Sequence, residues 1–177
     1  MIDILFPVKD EISRELLVRT CIAHFNASKN NSNGSKIVFS ISLEGSGSLI
    51  QALSAGLLST GRLHAPVELA RNFIFHWNEK IEEGVIVPGF GHSIFKSEVD
   101  PSFKEVDKLL EERFSDKWGM VMERQNELSL LKGKILYRNA AALTACVAEC
   151  LNLPPGMEVL LFAFPRMTQW IDSVTSV

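Results

Sequence analysis

Val87-Pro88-Gly89-Phe90-Gly91-His92 is the stretch of this chain best suited to chemistry. Two glycines and a proline fix a loop in which backbone can come close to a ligand, and the histidine at its end is held on a rigid base. An imidazole so placed gives or takes protons near neutral pH. A Gly-rich turn ending in histidine is also a common connector, so its weight depends on what else accompanies it. Two further segments supply candidates. His64 closes the run Ala55-Gly56-Leu57-Leu58-Ser59-Thr60-Gly61-Arg62-Leu63-His64, and Arg166 ends Phe162-Ala163-Phe164-Pro165-Arg166. For Arg166, substrate binding competes with a buried ion pair in the core. For His64, a ligand contact and a bond to a backbone carbonyl fit equally well. His24 and His76 read as structural or surface residues on their local context alone.

The elements that must hold these side chains are helices. Asp100-Pro101 is an N-cap followed by proline at the first helical position, and Phe103, Val106, Leu109, Leu110 and Phe114 then mark one face. Pro66 opens another helix, with Leu69, Phe73, Trp77 and Ile81 repeating every four residues until Gly84. Gly47-Ser48 precedes a short apolar helix through Leu49, Ile50, Leu53 and Leu57, ended by Thr60-Gly61. Two more run from Ala140 to Leu151 and from Met157 to about Ser173, separated by Pro154-Pro155-Gly156. Lys29 to Ser35 reads as a polar loop. Ile37 to Leu43 is ambiguous, because its β-branched residues and partial alternation favour a strand on propensity.

With 177 residues, 46% of them hydrophobic, the chain can bury one substantial core. Its net charge of -3 is interspersed, and no basic stripe tracks a phosphate backbone, so nucleic acid is not expected as a partner. Lys96, Lys104 and Lys108 read as a solvated face. No apolar run approaches a bilayer span and the first residues do not resemble a signal peptide, so a soluble, non-membrane protein is expected. Cys21, Cys146 and Cys150 form an odd set without metal-type spacing. They read as small buried hydrophobes in a reducing cytoplasm, and no metal is expected.

Together the three opening segments resemble the citrate synthase and citryl-CoA lyase family. The resemblance runs over about residues 18 to 172. Asn26-Ala27-Ser28 stands where the family has Asn-Ala-Ser, Asn152-Leu153-Pro154 where it has Gly-Leu-Pro, and Arg166 with Trp170-Ile171 where it has Arg and Gly-Trp-Ile. In extent the match covers the C-terminal part of a full citrate synthase and is nearer to the compact lyase-type members. It implies an all-α, citrate-synthase-like fold, with helix at Ile37 to Leu43. A larger dimerising helical lobe would comprise residues 1–65 and 151–177, and a small CoA-type lobe, residues 66–150, would be inserted in it. The implied chemistry makes or breaks a carbon-carbon bond through a thioester enolate, with coenzyme A or an acyl-CoA as substrate beside a 2-oxo acid or citrate-type molecule. A carboxylate takes the thioester α-proton while a histidine donates to the enolate oxygen; a second histidine polarises the 2-oxo carbonyl and arginines hold carboxylates.

Carried over by position, His64 corresponds to the enolate-stabilising donor, His92 to the second histidine and Arg166 to one of the arginines. His24 and Asn139 are the nearest candidates for further substrate contacts. Backbone of Val87, Pro88, Gly89, Phe90 and Gly91 resembles the segment that receives the adenine of coenzyme A. Four positions depart from the pattern. Ala141 stands where the family has its catalytic aspartate, and Ser102 where an arginine follows Asp-Pro. His-Gly-Gly has become His64-Ala65-Pro66, and His24 is displaced from the family's histidine before Asn26. Asn139, Glu68 and Glu149 are the candidates to replace the missing base. Two functions follow: an enzyme of this class, or a catalytically degenerate paralogue that binds CoA or a carboxylate, as a homodimer or as the heteromeric partner of an active subunit.

Overall fold

The computed structural model of the protein describes residues 6, 8, 10–30, 34–59, 66–76, 87–92 and 94–175. Among these the elements are helices: α1 (Glu11–Asn30), α2 (Gly34–Ser46), α3 (Leu49–Leu58) and α4 (Val67–Arg71), which runs on into a wider π-type turn (Asn72–His76). After the Val87–His92 loop, a 3-10 turn (Pro101–Phe103) leads into α5 (Lys104–Arg113), followed by α6 (Ser115–Lys132), α7 (Ala140–Cys150) and α8 (Met157–Thr175). The described residues contain no strand, and the fold is all-α as expected.

Side chains start several of these helices. Ser48 accepts from the Gln51 N–H at the start of α3, Asp100 from Ser102 N–H ahead of α5, and Asn139 from Ala141 N–H at the start of α7. Each takes up a backbone donor that the first turn leaves unpaired. The centre of the molecule is α7, in which every residue from Ala141 to Ala148 is buried. Its mostly small side chains allow close approach on all sides, while its backbone groups are satisfied within the helix. Leu143, Cys146 and Val147 of α7 join Leu16, Leu17 and Ala23 of α1, Val106 and Leu110 of α5, Val121 and Leu128 of α6, and Leu161 of α8 in one core. A second cluster, Phe39, Ala52 and Trp170, ties α2 and α3 to α8.

Several boundaries differ from expectation. Lys29 continues α1 and Ser35 belongs to α2, so the expected loop from 29 to 35 is shorter. With Ala23 and Ala27 of α1 buried, Asn26 and Lys29 continue the helix on its exposed side, while Ser28 is buried and accepts from Trp170 Nε1 at 3.0 Å. The stretch 37–43 is helical despite its strand propensity, because Phe39 packs against Ala52 and Trp170 and tertiary burial outweighs a local preference. The helix opened by Pro66 turns from α to π geometry at Asn72, and its expected continuation through Trp77 and Ile81 lies outside the described residues. The helix after Asp100 begins as a 3-10 turn. The helix from Met157 extends to Thr175 across Pro165, which is buried and has no N–H to offer the preceding turn. The helices α1 and α6 go beyond those expected from helix punctuation and apolar spacing.

The three cysteines are free thiols, with Cys146 buried and the others half-buried. Burial pushes the Cys21 thiol up to about 11. A hydrogen bond with Cys150, and then burial, raises that of Cys146. No helix among the described residues is long and apolar enough to cross a membrane.

Candidate functional site

The Val87–His92 loop is pinned from below. Gly89 has φ +95°, and a Cβ there would lie 3.1 Å from the Ala142 Cβ and 3.2 Å from the Ala70 Cβ. Glycine is therefore needed both for the backbone and for its seat between α4 and α7. Gly91 N donates to Tyr137 O at 2.7 Å and Asn139 N to Gly89 O at 2.9 Å, so the loop pairs with the segment entering α7. Asn139 adds a side-chain tie, its Nδ2 donating to Gly91 O at 2.9 Å while its Oδ1 accepts from Ala141 N at 2.9 Å. Arg138 anchors the same segment. It forms a bidentate pair with Asp107, Nε to Oδ1 at 2.8 Å and Nη2 to Oδ2, and lies 4.3 Å from the Trp118 ring centre. Gly89 O, Gly91 N and Gly91 O are thus used inside the protein.

At the end of this loop, His92 is half-buried and its Nδ1 accepts from Ile94 N at 3.0 Å and from Phe95 N at 3.1 Å. With Nδ1 held as an acceptor, the neutral ring carries its proton on Nε2. Partial burial is the main influence lowering its pKa; Asp100 opposes this and the positive charge of Arg166 reinforces it. His92 is therefore a neutral donor at pH 7, acted on by one carboxylate and one guanidinium.

Arg166, on α8, is the cation whose charge acts on His92. Its Nε donates to His24 Nδ1 at 3.3 Å, and its guanidinium lies 4.1 Å from the Phe162 ring centre. It is more than nine-tenths buried, and no carboxylate among the described residues forms an ion pair with it. Burial brings its pKa down to about 10, with Asp100 opposing, so it remains cationic at neutral pH. The buried ion pair considered for Arg166 belongs instead to Arg71, which holds Glu149 at 3.0 Å and Glu158 at 3.1 Å.

His24 is fully buried, with its ring edge against Phe103 and Phe162. The Thr144 hydroxyl donates to Ala140 O at 2.6 Å, so it accepts from His24 Nε2, 2.7 Å away. The Nδ1 lone pair is then free to accept from Arg166, and desolvation together with the Arg166 charge holds the ring neutral, its pKa well below the ordinary value. Both ring nitrogens are occupied, as are both polar ends of the Asn139 amide. These two candidate substrate contacts thus act on Arg166 and on the loop, not through free atoms of their own.

Ala141 is buried in an apolar cluster with Val67, Ala70, Ala145 and Phe162. The candidates to replace a base there are committed elsewhere. Glu149 pairs with Arg71 and Lys117, which hold its pKa low against its partial burial. Glu68 is exposed on α4, and Asn139 is a cap. His64 lies outside the described residues. Thr144, which orients His24, has no local signal in the sequence, and Asp100, legible there as a cap, is buried and its charge acts on both His92 and Arg166. An aspartate eight residues after the loop histidine is the signal the sequence offers. Among the described residues no group of three or more metal-ligating side chains comes together.

The all-α fold that carries the loop histidine and the buried arginine of the last helix has known counterparts. The sequence pattern of the citrate synthase C-terminal domain matches residues 63–176, and the chain belongs to the citrate synthase family. The structure of citryl-CoA lyase from Hydrogenobacter thermophilus is similar in fold, with a TM-score of 0.69 over 95% of this chain and 72% of that one, at 19% identity. A comparison with curated proteins gives no match.

Proposed function

We propose that the protein binds an acyl-CoA together with a 2-oxo acid or citrate-type carboxylate, the ligand pair of carbon-carbon bond formation or cleavage through a thioester enolate. The observation that carries this reading is Arg166, a cationic guanidinium more than nine-tenths buried without an ion-pair partner among the described residues, whose charge acts on His92 and its neutral Nε2–H. A guanidinium so placed gains from a ligand carboxylate, and a fixed neutral donor is suited to polarising a carbonyl oxygen. Residues 66–150 form the lobe that receives the CoA, with the Val87–Gly91 loop at its edge and His64 as the enolate donor. Citryl-CoA lyase chemistry and citrate-synthase-type transfer both fit this reading.

A second reading is favoured by Ala141. With a methyl group in an apolar wall where the family has its carboxylate, and with Glu149 and Asn139 committed to other contacts, α-proton abstraction lacks a base at that position among the described residues. The protein is then a binding paralogue, alone or beside an active subunit. Calorimetry of the full chain with acetyl-CoA, oxaloacetate and citrate tests binding, and His92→Ala is expected to weaken the carboxylate ligand by about 2 kcal/mol without unfolding the protein. Unchanged affinity in that variant would make His92 structural. Exchange of acetyl-CoA methyl protons with deuterium then separates the readings. It is expected to be slow in the unchanged protein and to rise in Ala141→Asp by roughly a hundredfold to ten-thousandfold. Fast exchange before substitution favours the enzyme with another base.

A further inference from the structure

Thr144 carries the one hydroxyl in the buried stretch of α7 from Ala141 to Ala148. Its proton goes to Ala140 O at 2.6 Å, the usual partner of a hydroxyl inside a helix, so toward His24 Nε2 at 2.7 Å it can only accept. The opposite tautomer of His24 would set Nδ1–H against Arg166 Nε–H, two donors face to face, and would turn a lone pair on Nε2 toward an oxygen whose proton is engaged elsewhere. The ring is also kept from turning, with Phe103 and Phe162 packed edge-on at centroid distances of 4.8 Å each. Phe162 touches the guanidinium as well, 4.1 Å from its ring centre. Arg166 is thus fixed along its Nε side at 3.3 Å and across one face, and the edge left to a ligand is Nη1 with Nη2.

We infer that Thr144 is a positioning residue for ligand binding, its hydroxyl acting through His24 to hold Arg166 so that the guanidinium takes a carboxylate end-on through Nη1 and Nη2. The inference rests on the reading of Arg166 as the carboxylate-binding group. A planar guanidinium pairs with both oxygens of a carboxylate only when its plane and direction match them, and one already held in place loses less freedom on binding than one that swings about its stem. Valine in place of Thr144 is close in shape but offers no acceptor. It leaves the Nε2–H of His24 buried without a partner, so the ring no longer has one preferred arrangement and Arg166 loses its fixed support. Serine keeps the hydroxyl and with it the order of donors.

Calorimetry of the full chain with citrate, fresh oxaloacetate and acetyl-CoA tests this, beside nitrogen-15 NMR of the histidine and arginine side chains. Thr144→Val is expected to weaken the carboxylate ligand about tenfold and to leave acetyl-CoA affinity as it was, while Thr144→Ser recovers most of the loss. In the unchanged protein the NMR signals that vanish in His24→Gln should show the proton on Nε2 and a bare Nδ1, a measurement that stands if Thr144→Val does not fold. A proton on Nδ1 overturns the inference. Carboxylate affinity unchanged in Thr144→Val but lost in Arg166→Gln overturns the role of Thr144 and leaves the carboxylate site standing. Equal weakening of carboxylate and acetyl-CoA also overturns it, since a merely structural residue would loosen both. Absence of binding by citrate and oxaloacetate in the unchanged protein overturns the site itself, and the positioning role with it.

Discussion

At the scale of single residues, the molecule depends on where protons sit. The chain Ala140 O, Thr144 hydroxyl, His24, Arg166 has one consistent set of donors and acceptors, and it works only with His24 neutral. That sets a pH dependence. The pKa of folded His24 lies below that of the unfolded ring, and His92 is shifted in the same direction, mainly by partial burial. Above the unfolded value of about 6.5 both states are neutral and stability is independent of these rings. As pH falls below it, the unfolded rings take protons that the folded ones refuse, so stability is lost on acidification. Between pH 7.5 and 5.5, where carboxylates contribute little, the denaturation midpoint is expected to fall with acid, each histidine adding at most about 1.4 kcal/mol per pH unit. His24→Gln should flatten the profile even if it lowers stability throughout. A profile equally steep in that variant would mean that other groups set it. His24 is also where sequence reading met its limit. An isolated histidine four residues before Ser28 looks structural, and only the fold brings Thr144 and Arg166, 120 and 142 residues away, to its two nitrogens.

At the scale of elements, the loop and α7 behave as one piece because Asn139 serves both. Asn139→Ala removes the cap and the tie to Gly91 O together, and is expected to cost about 1–2 kcal/mol of stability while weakening carboxylate binding through the loosened His92 loop. Asn139→Asp separates the roles. The carboxylate still caps α7 but cannot donate to Gly91 O and sets a negative oxygen against it, so stability is expected to fall through the lost tie alone, with weaker ligand affinity. Chemical denaturation and calorimetry on the two variants distinguish them, and unchanged affinity in both would leave Asn139 as a cap alone. Legibility differed among the helices for physical reasons. The helix after Asp100 announced itself by its cap, its proline and an apolar face. The buried face of α6, Trp118, Val121, Gln125 and Leu128, has helical spacing, but a polar residue interrupts it and Leu130 is 83% exposed, so hydrophobicity alone obscures the pattern. Gln125 is there because its Oε1 accepts from Arg138 N at 3.0 Å, a long-range demand that local sequence does not display. In α2 the strand-like residues are helical because Phe39 is needed against Trp170, and propensity yields to that contact.

At the scale of the whole molecule, α2 and α3 are where the surface is least explained by a single chain. They meet α8 through Phe39, Ala52 and Trp170, and Gly56 permits the approach, since a Cβ there would lie 2.8 Å from Trp170. On their outer sides Ile37 is 50% exposed, Ile41 64%, Ile50 77% and Leu58 84%. Scattered apolar side chains are ordinary on a protein surface, but Ile37 and Ile41 stand one turn apart, and the charged residues of the two helices are only Lys36 and Glu44. A second copy of the chain is the partner expected to cover this face, because an isologous contact lets one apolar surface serve both subunits. Light scattering at micromolar concentration is therefore expected to give twice the chain mass of 19.7 kDa. The double variant Ile41→Glu with Ile50→Glu should return the mass to that of one chain with helical circular dichroism intact, since neither side chain contributes to the cores. A single-chain mass for the unchanged protein rules the dimer out, and a dimer that survives both substitutions moves the interface to another face.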